Sequence, residues 1–429
     1  MTSPRESDGP AVSQNIALAT WGLFAGLALL MFAGGLFATL IGVRAERSGV
    51  ATAISSSIAA AYYVGFLVGS WLTLKALGKV GHIRVYAALA SMLAAAIAAV
   101  GITDSSVAWI LLRLVTGVCT AGVYVVAESW LNDLATNENR GRLLAVYSVL
   151  TMLFYGLGQF ALTVFDARLL VGFAVAAIVT SMAVAPVSLS ETAVAPAVED
   201  RVDVSLRELA RIVPTGIVSC LLIGIAHGAI AGMSAVYATR VGMSAAMIGL
   251  FVALPSLGGV VLSWPVSAAS DDIDRRAVGV AAAGGATLVS LLLLLGPPTH
   301  PIGLALIALL GGLSYPLYSI AAAYTNDWVE PEHVNAAASQ LVRLYGIGAV
   351  IGPFVAAGAM IAFEPVGFLW SLAAMHAVIA IFFLYRMFAW RSPLAKRPWD
   401  EVSLPARAFF VPATIISFGR RAGRRIADR

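Results

Sequence analysis

The chain is a succession of long apolar segments separated by short polar ones. Each segment approaches the ~20 residues that a helix needs to cross the hydrocarbon of a membrane. A bundle of helices is the architecture in which so much backbone can hydrogen-bond internally in lipid. The pattern predicts twelve spans, near residues 14–43, 50–74, 84–103, 106–131, 143–165, 168–188, 212–239, 244–268, 277–296, 301–325, 335–362 and 366–390.

The composition agrees with this pattern. Hydrophobic residues make up 60% of the 429 residues and charged residues 12%, whereas soluble domains carry about 25% charge. The fold class is therefore an all-α polytopic membrane protein. The first ten residues lack the basic region of a secretory signal, so the apolar run from Ile16 to Val43 predicts an uncleaved span. Cys119 and Cys220 lie singly in apolar segments and favour neither a disulfide nor a metal site.

Basic residues predict the orientation, because Lys and Arg are retained in short cytoplasmic loops. With the N-terminus inside, eleven basic residues fall on the inner side and four on the outer side. Both termini are therefore expected in the cytoplasm. The net charge of +4 is explained by topology, and we expect no nucleic-acid partner. The inner residues are Arg5, Lys75, Lys79, Arg84, Arg140, Arg142, Arg201, Arg207, Arg211, Arg275 and Arg276, and the outer ones are Arg44, Arg47, Arg168 and Arg240.

A polar stretch between spans 6 and 7 divides the chain into two halves of six spans. Within it, "VSLRELARIV" predicts a short amphipathic helix on the inner leaflet. The predicted organisation is a cytoplasmic N-terminal tail (1–13), a six-helix bundle (14–187), a central cytoplasmic loop (188–211), a second six-helix bundle (212–391) and a basic cytoplasmic tail (392–429). That tail is expected to lie against anionic lipid or to form a disordered end.

The two halves repeat weakly. A shift of 193 positions places Gly65, Val68, Ser70 and Trp71 on Gly258, Val261, Ser263 and Trp264. A shift of 194 positions places Gly117, Tyr124, Asn132, Asp133, Gly158 and Phe160 on Gly311, Tyr318, Asn326, Asp327, Gly352 and Phe354. This register predicts two bundles related by a pseudo-two-fold axis along the membrane normal. Transporters with this plan bind their solute between the halves near the middle of the membrane.

Span 4 contains Arg-x-x-x-Gly at Arg113 to Gly117. Together with twelve spans in two repeats and a polar central loop, this motif resembles the major facilitator superfamily. The stretches "VVAES", "NRGRLLA" (139–145), "GLGQ" (156–159) and "SWP" (263–265) are similar to its YcaD-like branch, bacterial transporters without a settled substrate. The family's loop signature, G-x-x-x-D-R-x-G-R-R, is only partly present. The loop after span 2 has Gly78 in the aspartate position and keeps Lys79 and Gly81.

The loop after span 8 keeps Asp271, Arg275 and Arg276 but neither glycine of the signature. The resemblance implies that these loops latch the cytoplasmic side through ion pairs. It also implies an inner-gate role for Glu128 with Arg140 and Arg142, since sugar-carrying members have a similar Glu-then-Arg-Gly arrangement. Lys79 is a further candidate for this gate. A proton-carrying role for Glu128 is the alternative.

Arg113 is the sharpest signal within a span, because an arginine about two turns deep in lipid is almost always paired or facing water. It lies 15 residues from Glu128, roughly 22 Å along one helix, so the two cannot neutralise each other. Arg113 could face the central cavity and bind an anionic substrate, or keep a neighbouring acid ionised so that protonation couples to transport. The alternative is that it snorkels outward along its own helix.

Other polar residues within the spans are candidates for the substrate or coupling site. His227 lies among glycines in "IGIAHGAIAGMS" and suits proton coupling because histidine titrates near neutral pH. A hydrogen bond to a nearby carbonyl is the alternative. Arg343 either pairs with Glu128 across the halves or lines the cavity. Tyr124 and Tyr318 either line the cavity or serve packing.

The sequence contains no H-E-x-x-H, G-x-S-x-G or P-loop motif, so we expect neither an enzyme nor a cofactor. The expected function is a secondary active carrier of the bacterial inner membrane. It moves a small amphipathic or anionic organic solute by alternating access as a monomer, with protons as coupling ion and efflux slightly favoured over uptake. The alternative is a membrane sensor or receptor of transporter-like fold.

Overall fold

The computed structural model describes residues 9–134, 140–165, 170–189, 205–330 and 333–389. The helices of the first half are α1 (Gly9–Arg47), α2 (Thr52–Val80), α3 (His82–Ile102), α4 (Ser106–Leu134), α5 (Arg140–Phe160), α6 (Leu170–Met182) and α7 (Val184–Ser188). Helix α8 (Leu206–Ile212) precedes the second half. That half contains α9 (Pro214–Arg240), α10 (Ala245–Asp272), α11 (Arg275–Leu292), α12 (Pro301–Ser314), α13 (Pro316–Asn326), α14 (Val334–Ala362) and α15 (Gly367–Ala389).

These helices form 12 segments that are long and apolar enough to cross a membrane. The predicted number of spans and the all-α fold class are therefore confirmed. Two spans are each built from two α-helices, α6 with α7 and α12 with α13. The second break lies at Tyr315, before Pro316. It has a local cause, because proline lacks the N–H that a continuous helix requires and its ring crowds the preceding turn.

Close helix approaches repeat from one half to the other. Gly117 of α4 contacts the carbonyl of Tyr62 in α2, and its counterpart in the repeat, Gly311 of α12, contacts the carbonyl of Pro255 in α10. A side chain at either glycine would collide with backbone. Similarly, Gly158 lies on the carbonyl of Phe32, and Gly352 lies on that of Ile225. The register predicted from the sequence therefore relates real contacts, and the pseudo-two-fold pair of bundles is confirmed.

The short helix predicted in the polar stretch between the halves is confirmed as α8. Its first turn is capped by Ser205, whose hydroxyl accepts a hydrogen bond from the backbone N–H of Glu208 at 3.2 Å. Leu209 is fully buried in a cluster with Tyr324 and Ala337. The apolar side of α8 therefore packs on α13 and α14, in addition to any contact with lipid.

The halves meet mainly where α2 packs on α14 and α5 on α10, and also where α9 packs on α1 and α2. We call the end of the bundle that carries Lys75, Lys79, Arg275 and Arg276 the basic end. We call the end that carries Glu46 and Arg240 the opposite end.

Candidate functional site

Arg113 lies inside the first bundle. Its side chain is 8% exposed, and its guanidinium lies 5.4 Å from the ring centre of Phe37 in α1 and 4.5 Å from that of Tyr62 in α2. Its Nε is buried without a hydrogen-bond partner, and no ion pair to Arg113 occurs among the described residues. The aromatic faces stabilise the cation in part. Because the side chain contacts α1 and α2, the outward snorkelling alternative does not describe this conformation.

Tyrosines of the first half surround Arg113, and further tyrosines continue from them into the second half. Arg113 interacts electrostatically with the hydroxyls of Tyr62, Tyr63 and Tyr155. Of these three tyrosines, Tyr155 is partly exposed, and it also interacts with Tyr315 of the second half. The tyrosine cluster, as we call it, consists of Tyr62, Tyr63, Tyr124 and Tyr155 of the first half and Tyr315, Tyr318 and Tyr345 of the second. It therefore spans the seam between the bundles.

The second half faces this cluster with His227, whose two ring nitrogens are both in contact with polar atoms. Nε2 lies 3.1 Å from the carbonyl oxygen of Ser314, and Nδ1 lies 3.0 Å from the hydroxyl of Tyr345. Ser314 is the last residue of α12 before the break in span 10. The structure thus gives His227 the predicted contact with a backbone carbonyl, and its role in proton coupling stays a prediction.

A second histidine extends this network. The hydroxyl of Ser314 lies 2.8 Å from Nε2 of His376 in α15, and Nδ1 of His376 lies 2.8 Å from the carbonyl oxygen of Leu372. One hydrogen-bonded chain therefore joins α14, α9, α12 and α15 at the level of the helix break. Both histidines are buried, at 2% and 0% exposure. The sequence pattern alone gives His376 no role, because its partner Ser314 is far away along the chain.

Glu128 is electrostatically coupled to two tyrosines that are equivalent in the repeat. It interacts electrostatically with Tyr124 of its own helix and with Tyr318, the counterpart of Tyr124 on α13. Tyr318 is fully buried, and its hydroxyl has no hydrogen-bond partner among the described residues. The hydroxyl of Tyr124 donates to the sulfur of Met31 at 3.0 Å. The acid is thus buried at the seam, with 6% exposure.

Arg343 is separated from these residues. It is exposed and forms no ion pair within the described part of the chain. It continues a stripe of exposed residues on α14 with Ile347 and Ile351, which follow at intervals of four. Two residues correspond to roughly 160° around a helix, so Arg343 points away from the side that carries Tyr345. In this conformation Arg343 does not pair with Glu128, and its role in lining the cavity stays a prediction.

The gate candidates of the second half are brought together at the basic end. Arg275 of α11 bonds Asp327 of α13 at 2.7 Å and Asp271 of α10 at 3.2 Å, and all three side chains are nearly inaccessible. Arg276 pairs with Asp274 at 2.8 Å and donates to the carbonyl of Arg386 at 2.9 Å. These contacts brace helices of one half. Their role in closing a gate between the halves stays a prediction.

The first half has a histidine at the corresponding corner. His82 begins α3, is 1% exposed, and its Nε2 lies 3.2 Å from the hydroxyl of Ser129 and 3.6 Å from a carboxylate oxygen of Asp133. Burial raises the pKa of the Asp133 carboxyl, and the neighbouring His82 opposes that rise. Lys79 is exposed nearby. The side chains of Arg140 and Arg142 lie outside the described residues, so their predicted pairing with Glu128 stays a prediction.

Two arginines outside the predicted site have structural partners. Arg44 of α1 donates to the carbonyls of Val100 and Gly101 at 3.1 and 2.7 Å, and so caps the end of α3. Arg240 binds Glu46 with two hydrogen bonds of 2.7 Å each. In the sequence, both arginines serve only to predict the orientation in the membrane. Their partners, carbonyls at the end of another helix and an acid in the other half, are distant along the chain and produce no local pattern. Within the described residues, no group of His, Cys, Asp and Glu could hold a metal ion.

Comparison with known proteins gives one consistent result. The sequence profile of the Major Facilitator Superfamily matches residues 23–310 and, in a second match, residues 216–422. The uncharacterized MFS-type transporter YcaD of Escherichia coli (strain K12 / DH10B) is 27% identical over 333 residues, which cover 77% of this chain and 86% of that protein. These matches confirm the family resemblance inferred from the sequence motifs.

Solved structures with similar folds have little sequence identity to this chain. The nucleoside transporter NupG superimposes with a TM-score of 0.69 at 12% identity, over 87% of this chain and 100% of that one. A bacterial homolog of the human lysosomal transporter Spinster, inward-facing and occupied, gives 0.69 at 12%, over 90% and 98%. The human organic anion transporter MFSD10 gives 0.56 at 14%, over 86% and 99%.

Proposed function

Because the chain belongs to the major facilitator superfamily, and is therefore a multi-pass membrane transporter and not an enzyme, we propose that it is a secondary active carrier for a small anionic or amphipathic organic solute. It alternates between states open to either side of the membrane by rocking its two bundles. The transporter function rests on family membership. The solute class rests on Arg113.

The observation that carries the solute class is a buried cation without a counter-ion. Arg113 is 8% exposed, its Nε lacks a hydrogen-bond partner, and no carboxylate pairs with it among the described residues. An uncompensated buried charge costs several kcal/mol, and the rings of Phe37 and Tyr62 offset only part of this. An anionic solute supplies the missing charge and is held by the planar guanidinium.

The orientation follows from the basic end. Lys75, Lys79, Arg275 and Arg276 lie at this end, and basic residues are retained on the cytoplasmic side. We therefore propose the bacterial inner membrane as the location, with both termini in the cytoplasm. The ion pair of Glu46 with Arg240 then holds the halves together on the outer side. This conformer accordingly corresponds to a state closed to the outside.

Protons are the proposed coupling ion, and outward movement of the solute is favoured over uptake. Glu128 is the acid best placed for coupling, because it is buried and is electrostatically coupled to a tyrosine of each half, Tyr124 and Tyr318. In this position it either carries the proton or closes the cytoplasmic gate. His227 has both nitrogens engaged and therefore orients Tyr345. The carrier works as a monomer, since each copy holds a complete seam.

Thermal unfolding of the purified protein tests the solute class. Organic carboxylates should raise the melting temperature of the parent, whereas their neutral methyl esters should not. Arg113→Lys should fold normally and lose most of this response, because a compact ammonium does not reproduce the two-pronged donor set of arginine. Arg207→Lys, at an exposed position on α8, is the matched control.

Flux in proteoliposomes separates a carrier from the alternative, a sensor of the same fold. The carboxylate that stabilises the protein should cross the membrane when a pH gradient is imposed. Stabilisation without flux under either direction of the gradient would instead favour the sensor. Equal responses of the parent and Arg113→Lys would remove Arg113 from the site.

A further inference from the structure

We propose that the transported solute carries a hydrogen-bond donor, a hydroxyl or an amine, in addition to its anionic group. This inference rests on the proposed function and deepens it. It comes from the direction of the hydrogen bonds in the network that runs from His376 through Ser314 and His227 to Tyr345.

The backbone carbonyl oxygen of Ser314 determines which atoms of this network carry the protons. A carbonyl only accepts, so Nε2 of His227 donates to Ser314 at 3.1 Å. A neutral imidazole then has an acceptor at Nδ1, and Tyr345 donates its hydroxyl proton to it at 3.0 Å. His376 is fixed in the same way, because Nδ1 donates to the Leu372 carbonyl and Nε2 accepts from the Ser314 hydroxyl.

This assignment makes Tyr345 an acceptor toward the seam. Its proton is committed to His227, so toward any other group the phenolic oxygen can only accept a hydrogen bond. Tyr345 interacts with Tyr63 of the first half, which in turn interacts with Arg113. The ring of Tyr318, whose buried hydroxyl has no hydrogen-bond partner among the described residues, lies 5.2 Å from that of Tyr345.

The two sides of the seam are therefore complementary to different groups of a solute. Arg113 on the first half offers donors and a positive charge, and Tyr345 on the second half offers an acceptor. A solute with a carboxylate at one end and a hydroxyl or amine at the other satisfies both sides as the bundles close. Aromatic rings between them favour a flat or apolar middle portion.

Matched aryl carboxylates test this proposal by thermal shift and competition binding. Benzoate, 4-hydroxybenzoate and 4-aminobenzoate are compared with methyl benzoate, for the parent and for Tyr345→Phe. The hydroxy and amino acids should bind the parent on the order of threefold to tenfold more tightly than benzoate, the effect of one hydrogen bond. Tyr345→Phe should abolish this preference and keep the binding of benzoate.

The outcomes distinguish the hydrogen-bond donor of the solute from its anionic class. Equal binding of benzoate and 4-hydroxybenzoate to the parent, or a preference that survives in Tyr345→Phe, overturns the donor inference and leaves the anionic class intact. Binding of the ester as tight as that of benzoate overturns the anionic class itself. If no carboxylate binds, both fall.

A separate observation, the repeat, carries a second inference about the basic end. The shift of 193 positions relates His82 to Arg275 and Gly78 to Asp271, and the shift of 194 positions relates Asp133 to Asp327. In the second half, Arg275 is clamped between two buried acids. In the first half, the same corner has a histidine, one acid that is 44% exposed, and no acid at the third position.

We infer that the corner of the first half is a proton-responsive joint, whereas that of the second half is permanently charged. His82 faces Ser129 and Asp133 of α4, and its ring lies 5.7 Å from that of Trp130. Among the described residues, Lys79 on α2 and Arg84 on α3 are the charged groups next to it along the chain. Histidine is the side chain that ordinarily changes charge near neutral pH. The ion pair with Asp133 therefore exists while His82 is protonated and Asp133 is ionised.

The ion pair between His82 and Asp133 is lost on both sides of a pH window. The pair stabilises the joint in mildly acidic solution and is lost as the pH rises and His82 becomes neutral. It is also lost in stronger acid, where Asp133, whose pKa is raised by burial, becomes protonated. Acidification of the cytoplasmic side thus tightens α3 against the end of α4, the helix that carries Arg113 and Glu128.

A double-mutant cycle at two pH values tests this joint. The parent, His82→Gln, Asp133→Asn and the double variant are unfolded thermally at about pH 6 and about pH 8.5, on either side of the ordinary histidine titration. A coupling present at the lower pH and absent at the higher one is expected. His82→Arg should keep its coupling to Asp133 at both values. A coupling in the parent that is equal at both values, or absent at both, overturns the inference.

Discussion

Arg240 binds Glu46 across the two bundles, with Nε and one Nη each 2.7 Å from a carboxylate oxygen. The two residues lie at the ends of α9 and α1 at the opposite end, and both are largely shielded from solvent at 23% and 16% exposure. A two-pronged pair of this kind is stronger than an ordinary surface ion pair. It nevertheless has to break each time the protein opens on this side.

Glu46→Gln should therefore shift the protein toward states open at the opposite end. The reporter is Ala235→Cys, a buried position of α9 that faces Gly42 of α1, in a background without Cys119 and Cys220. We expect its thiol labelling to accelerate about threefold to fivefold, equivalent to about 1 kcal/mol. Asp104→Asn is the control, because Asp104 pairs with Arg44 within one half. An unchanged labelling rate would show that the pair does not hold the seam closed.

Glu128→Gln distinguishes a gate from a proton carrier. If Glu128 holds the cytoplasmic gate closed, a cysteine introduced at Ala322, the buried counterpart of Glu128 on α13, should become more accessible from the basic end. Proton-linked flux should then remain measurable. Glu208→Gln, at an exposed position on α8, is the control. Unchanged labelling together with complete loss of proton coupling would assign Glu128 the carrier role.

Asp327→Asn should destabilise the protein strongly. It removes the closest partner of Arg275, whose side chain is 1% exposed, and leaves Asp271 as the acid that pairs with this buried cation among the described residues. Breaking such a pair typically costs about 3 kcal/mol. Asp104→Asn breaks an arginine pair of similar length, 2.8 Å, but Asp104 is 91% exposed and the loss should stay within about 0.5 kcal/mol. Similar melting temperatures of the two variants would contradict the bracing role of Arg275.

Gly117→Ala tests the close packing of α2 with α4. The added methyl group collides with the backbone carbonyl of Tyr62, which cannot move aside without shifting the helix. Overpacking of this kind costs about 1 to 3 kcal/mol. Gly284→Ala in α11 meets nothing within 4 Å and should be neutral or slightly stabilising. Calorimetry of both variants in the same detergent checks the difference. Equal stability would mean that the two helices tolerate a wider separation.

Most of the fold could be predicted from the sequence, because the membrane leaves few solutions for long apolar segments. The spans, their number and the register between the halves depend on local hydropathy and on glycine spacing, which the sequence displays directly. The break at Tyr315 could be inferred from Pro316 only in hindsight, since Pro255 and Pro265 lie inside the continuous helix α10. A proline therefore predicts where a helix is weakened, but it does not predict whether the helix breaks there.

The site was less predictable, because its chemistry depends on pairing between distant segments. Arg113 can be identified from its depth alone, which is a property of its own span. The partners of His227 are 87 and 118 residues away, so no spacing rule could find Ser314 or Tyr345. Arg343 has the same sequence features as Arg113 and is nevertheless exposed, because the orientation of α14 decides which of its faces meets the other half.

The duplication gives this chain a set of ready-made substitutions within itself. Ile307 of α12 occupies the position that Arg113 holds in α4, and Ala322 of α13 occupies that of Glu128. Both counterparts are buried, so the same helical scaffold assembles with apolar side chains at these positions. Packing alone thus gives no reason for the arginine or the glutamate. The two charges belong to whatever the first half does that the second half does not.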